Sequence, residues 1–200
     1  ITERLVGSEM CIRDSVCTYQ AVSGSGKDGV EELLQQSSAY IDQRSIDKKV
    51  YPKQIAFNSI PFVDCFLENN YTREEMKMVW ETHKILDENI SVNPTAVRVP
   101  VLVGHAESIY IETEKEIDIE LAKNCLNEFA GISVIDDVQE VDFPTSFEHG
   151  HGTDDVYVGR IRKGLSKNNS LNLWVVADNV RKGAALNSIQ IAENLVGSEM

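Results

Sequence analysis

The chain has 200 residues, 42% hydrophobic and 26% charged, with a formal net charge of −13 at pH 7. This length and composition allow one sizeable core, with room for a second small subdomain, and exclude an array of several domains. The acidic balance disfavours nucleic acid and anionic membranes as partners, because both would be approached against long-range repulsion, although a local basic pocket can still hold a small anion.

The two ends of the chain carry the same six residues, LVGSEM, at 5–10 and at 195–200. Repeats of a solenoid recur every few tens of residues and carry a hydrophobic pattern, which this pair lacks. The longer stretch LVGSEMCIRDS resembles translated adaptor sequence. We therefore expect residues 1–15 and 195–200 to be non-native flanks of one native domain over 16–194.

The stretch TYQAVSGSGKDG, residues 18–29, passes from a predicted strand end through a glycine-rich turn into a helix. Its GSGK letters suggest a phosphate-binding loop, but that motif requires glycine at 21 and Ser or Thr at 28. This chain has Ala21 and Asp28 there, so the motif fails. Two interpretations remain: backbone N–H groups that face an anion at the start of the helix, or a flexible turn.

Two helices are predicted in the first half of the chain. Apolar residues at positions 30, 33, 34, 40 and 41 suit an amphipathic helix over 27–42. A second helix over 71–86 begins with a capping box, in which Thr72 is followed three residues later by Glu75. One face of this helix is traced at helical spacing by five residues: Met76, Val79, Trp80, His83 and Leu86.

The polar side of the second helix carries charges at i,i+3 or i,i+4 spacing. They are Glu74, Lys77, Glu81 and Lys84. Such pairs usually form a solvated face, and each contributes about 0.2–0.5 kcal/mol. The local pattern alone therefore favours a solvated face over a functional one.

The run RVPVLVGH has an arginine and a histidine at its ends. The stretches AVRVPVLV, 96–103, and ESIYIET, 107–113, predict two strands joined around Gly104 and His105. An odd offset puts Arg98 and His105 on opposite faces of a regular strand, so both reach one pocket only if the chain bends between them. Proline and glycine in the run permit a bend. The alternative is an arginine at a strand edge and a hydrogen-bonded turn histidine.

Helix and strand patterns follow one another irregularly in the rest of the chain. They first predict a helix over 118–131 with Gly131 as its C-cap, a strand over 132–136 and a turn-rich stretch over 143–155. Two strands follow, over 156–162 and 171–178, around a loop at 163–169. The last predicted element is a helix over 183–195. Because regular βαβ alternation is missing, we expect an α+β fold: a mixed sheet with helices packed on one face.

The cysteines show no CxxC spacing. They are Cys11, Cys17, Cys65 and Cys125. We expect reduced thiols in the cytoplasm rather than a disulfide framework or a metal site. The sequence also lacks an apolar run of about 18 residues and a basic segment followed by an apolar one at its start, so neither a transmembrane helix nor a signal peptide is predicted.

Five blocks, in the expected order, resemble the C-terminal part of bacterial aspartate-semialdehyde dehydrogenases. The match runs from Val16 to Asn194 and rests on TYQAVSGSGK, YPKQIAFNSIP, YTREEMKMVWETHKIL, AVRVPVLVGHAES and WVVADNVRKGAALNSIQIAENL. The resemblance implies a fold like the C-terminal domain of glyceraldehyde-3-phosphate-dehydrogenase-like enzymes, and a homodimer. It also implies the NADP-dependent conversion of L-aspartyl 4-phosphate to L-aspartate 4-semialdehyde, early in lysine, threonine and methionine synthesis.

The resemblance gives roles to five residues. His105 matches the family's acid/base histidine, and Arg98 matches the arginine that grips the substrate carboxylate. Lys77 corresponds to a lysine that contacts phosphate, and Glu74 to the acid that meets the substrate amino group. Gln20 matches the glutamine that helps to hold the substrate at the attacking sulfur. For Glu74 and Lys77 the resemblance reverses the solvated interpretation.

The expected cofactor contacts come from two places in the chain. Ser23 and Gly24 fall where the family's glycine-rich turn touches NADP, and Asn179 matches a further cofactor contact. No metal ligand is implied. The resemblance assigns no role to the remaining histidines, which we expect to be structural or exposed: His83, His149 and His151.

The departures from the family pattern concern the nucleophile and the nucleotide domain. The family's cysteine lies in an N-x-x-C-S-T type segment upstream of the TYQ block, which this chain does not contain, and the Rossmann domain is also missing. We read Cys17 as a buried, inert cysteine on a strand, not a substitute. We therefore predict that this chain alone is inactive. The alternatives are a related acyl-phosphate reductase, such as one acting on N-acetylglutamyl phosphate, and a catalytically dead paralogue that serves as an interaction protein.

Overall fold

A computed structural model describes residues 11–197 of the chain. Its strands are β1 (Cys11–Gln20), β2 (Ser91–Arg98), β3 (His105–Thr113), β4 (Ile132–Val134), β5 (Val156–Lys163) and β6 (Ser170–Ala177). Its helices are α1 (Gly26–Ile41), α2 (Arg73–Ile85), α3 (Ile119–Glu128) and α4 (Leu186–Gly197). Short helical turns occupy Val22–Ser25, Ser146–Gly150 and Arg181–Ala185. Most of the predicted flanks, 1–10 and 198–200, lies outside the described residues.

The six strands form one mixed sheet in the order β2-β1-β3-β6-β5-β4. The β1–β2 and β4–β5 pairs are parallel, and the other three pairs are antiparallel. The predicted α+β class with a mixed sheet is therefore confirmed. Strand β2 lies at an edge, which explains why it tolerates Pro94: a proline without an N–H can face away from the ladder there.

Helix α3 covers the sheet at the β4–β5 end. Asp118 caps it by accepting the N–H groups of Glu120 and Leu121 at 2.9 and 3.1 Å. Its apolar side packs on a buried cluster of Val158, Ile161 and Leu171. None of the helices between residues 11 and 197 is both long and apolar enough to cross a membrane.

A second core cluster lies under α1 and contains Val22, Leu33, Tyr51, Ile55, Ala56 and Ile60. Most of its members come from a stretch without regular structure, whose backbone N–H groups need partners. Two polar side chains of α1 supply them: Glu32 accepts from the backbone at 49–51, and Gln36 accepts from Ile55 and Ala56 at 2.9 and 3.2 Å.

The predicted apolar face of α1 is only partly correct. The helix exists, but Leu34, Tyr40 and Ile41 are 53%, 58% and 72% exposed, while Glu32 and Gln36 are buried. The reason is the irregular stretch described above: its backbone requires hydrogen-bond acceptors on the helix side that faces the core.

Two predicted boundaries are also wrong. The strand expected over 96–103 ends at Arg98, because Pro100 follows and the chain turns away from the ladder. Helix α3 ends at Glu128, with Phe129 as its C-cap in an extended conformation, and not at Gly131. Gly131 has φ +84° and turns the chain into β4 instead.

Candidate active site

Three strand ends meet at one corner of the sheet. Gln20 ends β1 directly beside Arg98, which ends β2, and His105 begins β3 on the other side of β1. The backbone of Arg98 is fixed by two hydrogen bonds with Ile60, at 2.8 and 2.9 Å. The sheet therefore presents an amide, a guanidinium and an imidazole at neighbouring positions.

The predicted bend between Arg98 and His105 is present. The chain leaves β2 after Arg98 and re-enters the sheet at His105 through Gly104, whose φ is +87°. A side chain at Gly104 would also overlap the carbonyl of Ser146, so the bend depends on glycine. In a straight strand, the odd offset would put Arg98 and His105 on opposite faces. The turn brings both residues to the same corner of the sheet.

His105 is held by the peptide group of Ala21. Its Nδ1 lies 3.1 Å from the Ala21 nitrogen, which donates to it. Burial, followed by the charge of Arg98, lowers the pKa of His105 to about 4, although Glu74 and Asp178 oppose the shift. The imidazole is therefore neutral at physiological pH in this arrangement.

Arg98 is bound to the backbone carbonyl of the same residue. Its guanidinium donates to the Ala21 carbonyl at 2.7 Å, and the residue is only 6% exposed. Gly24 lies against it: a Cβ there would be 2.9 Å from the guanidinium and 3.5 Å from the His105 ring. The turn after β1 therefore approaches both groups as closely as a bare backbone can.

Helix α2 adds a carboxylate and an ammonium group. Glu74 accepts from Lys77 at 3.0 Å and from the Gln20 amide at 3.2 Å. Burial alone raises the pKa of Glu74, but the hydrogen bonds from Lys77 and Gln20 and the charge of Arg98 outweigh it, and the pKa is lowered. Glu74 is thus an ionised carboxylate of the site rather than part of a solvated face.

The capping box of α2 fixes the helix to the sheet. Glu75 accepts the Thr72 N–H at 2.7 Å, and Thr72 accepts the Glu75 N–H at 3.2 Å, as predicted. The other carboxylate oxygen of Glu75 accepts the N–H of Ala96 in β2 at 3.0 Å. The cap therefore determines where Glu74 and Lys77 lie relative to the strand ends.

Asn179 connects two further segments of the site. Its Oδ1 accepts from the Ser23 hydroxyl and from the Gly104 N–H, both at 3.0 Å. Among the described residues, all eight predicted site positions therefore belong to one connected group: Gln20, Ser23, Gly24, Glu74, Lys77, Arg98, His105 and Asn179.

Two features of the site were not predicted from the sequence. One is the Ala21 peptide, which acts through its backbone. The other is Asp178, a buried carboxylate that accepts the N–H groups of Gly152, Val180 and Arg181 at 2.8, 2.8 and 2.9 Å. An Asp-Asn pair between a strand and a turn is the signal that indicates it.

Cys17 and the three histidines to which no role was assigned lie outside the connected group. Cys17 is half-buried, less than expected, and lies opposite Thr95 and Ser108, on the sheet face away from Gln20. His83 is structural, because its Nε2 bonds the Ile90 carbonyl at 2.9 Å. The other two histidines lie in or next to the Ser146–Gly150 turn, His149 half-buried and His151 exposed.

The mixed sheet and a neutral imidazole beside a guanidinium, an ammonium and a carboxylate are typical of an α+β enzyme domain that handles small anionic substrates. A family model described as semialdehyde dehydrogenase, dimerisation domain, matches residues 9–182. The chain belongs to this family.

Curated relatives are longer than this chain. An aspartate-semialdehyde dehydrogenase of Shewanella violacea is 55% identical over 185 residues, which cover 92% of this chain and 54% of that protein. The corresponding protein of Legionella pneumophila is 50% identical, with 92% and 53% covered. The chain thus spans about half the length of the curated relatives it matches.

Solved structures agree with the sequence comparison. Aspartate semialdehyde dehydrogenase II of Vibrio cholerae, complexed with ASA, superposes with a TM-score of 0.92 at 47% identity, over 98% of this chain and 58% of that one. An aspartate semialdehyde dehydrogenase of Candida albicans, solved with NADP, has a TM-score of 0.64 at 23% identity over 92% and 49% of the two chains, and it bears on the fold alone.

Proposed function

We propose that this chain is the catalytic and dimerisation part of an NADP-dependent aspartate-semialdehyde dehydrogenase in lysine, threonine and methionine biosynthesis. The reaction converts L-aspartyl 4-phosphate, NADPH and a proton to L-aspartate 4-semialdehyde, phosphate and NADP. The relatives at 50% identity or more and the Vibrio cholerae complex with ASA support this assignment.

The backbone of Ala21 carries the proposal. Its N–H donates to His105 and its carbonyl accepts from Arg98, so two successive peptide groups that share the Ala21 Cα set the distance between a proton-transfer group and a carboxylate-binding group. A substrate whose carboxylate binds Arg98 would therefore have its reacting carbon held at a fixed distance from the imidazole. The proposed substrate carries its carboxylate a few bonds from its acyl phosphate.

Each polar group has a chemical role in this proposal. Arg98 keeps guanidinium N–H groups beyond the one bound to Ala21, and they would grip the substrate carboxylate. The ionised Glu74 would bind the substrate ammonium, while Lys77 would attract the phosphate. Gln20, held by Glu74, would orient the acyl group towards a cysteine nucleophile supplied by the rest of the protein.

When a thiolate or phosphate enters the site, its negative charge would raise the pKa of His105 from its low value. The imidazole could then take up a proton. Burial beside Arg98 keeps the imidazole neutral until that charge arrives. His105 would then return the proton when the thioester is reduced. This is the work of a general acid/base.

The turn after β1 would contact NADP through its backbone. A Cβ at Gly24 would lie 2.9 Å from the Arg98 guanidinium and 3.5 Å from the His105 ring, so a cofactor bound against this turn would lie next to both groups. The nicotinamide, when bound, supplies the hydride. Ser23, in the same turn, is hydrogen-bonded to Asn179. The Nδ2 of Asn179 forms no hydrogen bond to a described residue.

We also propose a homodimer in the cytoplasm. The family description names dimerisation. One sheet face carries the half-buried Tyr19 and Trp174, with ring centroids 5.5 Å apart, which suits a face that a second copy covers. All four cysteines are free thiols, consistent with a reducing compartment.

The test uses the longest reading frame that contains this chain. Aspartate semialdehyde, phosphate and NADP are supplied and NADPH absorbance is followed. We expect activity that falls by about 10²–10⁴-fold in His105→Ala, while the exposed His151→Ala stays at wild-type level. The 200-residue chain by itself should be inactive. Preference for N-acetylglutamate semialdehyde would overturn the substrate assignment, and absence of activity in a folded, cysteine-containing protein would favour the interaction protein.

A further inference from the structure

The hydrogen bond to His105 determines which ring nitrogen carries the proton. A backbone N–H can only donate, so Nδ1 must accept from Ala21 through a free lone pair. The neutral ring therefore has its proton on Nε2. In this state His105 donates a hydrogen bond through Nε2, and it can take up a proton at Nδ1 only after the ring leaves the Ala21 N–H.

Two chain segments hold the ring in this state. One is the turn that begins at Ala21 and contains Ser23, and the other is Gly104, which directly precedes His105. Backbone bonds from Val22 and Ser23 to the carbonyls of residues 101 and 102 attach the turn to one side. These backbone bonds do not reach Gly104, so a further contact is needed to fix the turn relative to Gly104.

Asn179 supplies that connection. Its single Oδ1 receives both the Ser23 hydroxyl and the Gly104 N–H at 3.0 Å. The asparagine is itself held in place, because its neighbour Asp178 is 3% exposed and accepts three backbone N–H groups, one from Gly152 and two from the residues just after the asparagine. Oδ1 is therefore a fixed point between the two segments that enclose the imidazole.

We infer that Asn179 is a positioning residue, whose side-chain oxygen ties Ser23 to Gly104 and thereby keeps the Ala21 N–H on Nδ1 and the proton of His105 on Nε2. The inference rests on the proposed function only for the use of His105 in proton transfer. A cofactor contact through Nδ2 of Asn179 uses different atoms, so the two roles are separable.

The test measures the tautomer directly. In the ¹⁵N-histidine-labelled 200-residue chain at pH 8, the two ring nitrogens of His105, assigned by His105→Gln, should give the separate shifts of a protonated Nε2 and a bare Nδ1. Asn179→Ala should reduce this separation towards a tautomer mixture. Asn179→Asp keeps an acceptor oxygen and loses the amide donor, so it should retain the wild-type pattern.

His83 is the internal reference, since its Nε2 donates to the Ile90 carbonyl far from Asn179. A change at both histidines in Asn179→Ala would mean general unfolding, which far-UV circular dichroism detects. In that case the comparison of Asn179→Asp with wild type decides whether the inference holds. A protonated Nδ1 in the wild type, or an unchanged His105 in Asn179→Ala, would overturn the inference whatever reaction the protein catalyses.

Kinetics of the longer protein give an independent measurement. Loss of positioning should lower kcat in Asn179→Ala by about 10²-fold, the usual cost of a small misplacement, with Asn179→Asp closer to wild type. If Asn179 acts only as a cofactor contact through Nδ2, both variants should raise the KM for NADP equally while kcat stays unchanged, and the inference is wrong.

Discussion

The side-chain amide of Gln20 donates to the carboxylate of Glu74 at 3.2 Å, and this bond joins the end of β1 to the first turn of α2. Gln20 is 6% exposed and also donates to Thr18 at 3.3 Å. Both amide hydrogens are thus used within the protein, which leaves the carbonyl oxygen of Gln20 free to meet a ligand.

His105 should make the protein less stable in weak acid. Its pKa is about 4 in the folded state, below the 6.5 of a free histidine, so the unfolded chain binds more protons between these values. Stability should therefore rise with pH from about 4 to 6.5, by at most about 3 kcal/mol. Urea unfolding at pH 5 and pH 7.5 checks this, and His105→Gln should show a smaller difference between the two.

Glu107 should have the opposite effect. Burial raises its pKa, and its carboxyl bonds to none of the residues between 11 and 197. The folded state keeps the proton longer than the unfolded chain, so stability falls as pH rises through the unfolded value and beyond. Glu107→Gln should gain stability over wild type between pH 5 and pH 8. Equal gains in the exposed Glu88→Gln would contradict this explanation.

Gly24→Ala should lose activity without unfolding. The new methyl group would lie 2.9 Å from the Arg98 guanidinium, so the guanidinium or the turn must move, while its 3.5 Å distance from the imidazole is an ordinary contact. We expect kcat/KM in the longer protein to fall by about 10²-fold, with a melting temperature close to wild type. Gly183→Ala is the matched control, since its Cβ makes only ordinary contacts at 3.8 and 3.9 Å.

Glu75→Ala should destabilise the protein and disturb the substrate-binding helix together. It removes the Glu75 half of the capping box and leaves the N–H groups of Thr72 and Ala96 without this acceptor, a loss of about 1–3 kcal/mol. Chemical denaturation measures the loss, and substrate KM reports the shift of Glu74. The exposed Glu81→Ala, on the same helix, should change neither; if it matches Glu75→Ala, the cap is not the cause.

The sequence was most informative where local chemistry decides the structure. The capping box at Thr72 and Glu75 was predicted correctly, because both partners lie within one turn of helix. The bend at Gly104 was predicted as a possibility, since glycine permits it. The resemblance to a family, rather than spacing, brought Gln20 and Asn179 into the candidate site.

Contacts between distant segments were not predictable from the sequence. Glu32 and Gln36 are not among the apolar positions predicted for α1, yet they satisfy backbone groups 17 to 20 residues further on. No residue type encodes the role of Ala21, because only its backbone N–H and carbonyl take part. The buried residues of the irregular stretch were also not predicted, because they follow neither the helical nor the strand period.

The register that places Gln20 beside Arg98 also affects how the protein folds. These two residues meet across a parallel strand pair, with residues 21–90 forming the crossover between the strands. Closing so long a loop is entropically costly and slow, so this pairing belongs to the late, non-local steps of folding. Binding competence should therefore appear only when the whole sheet has formed, and ligand binding during refolding would report the completion of the fold.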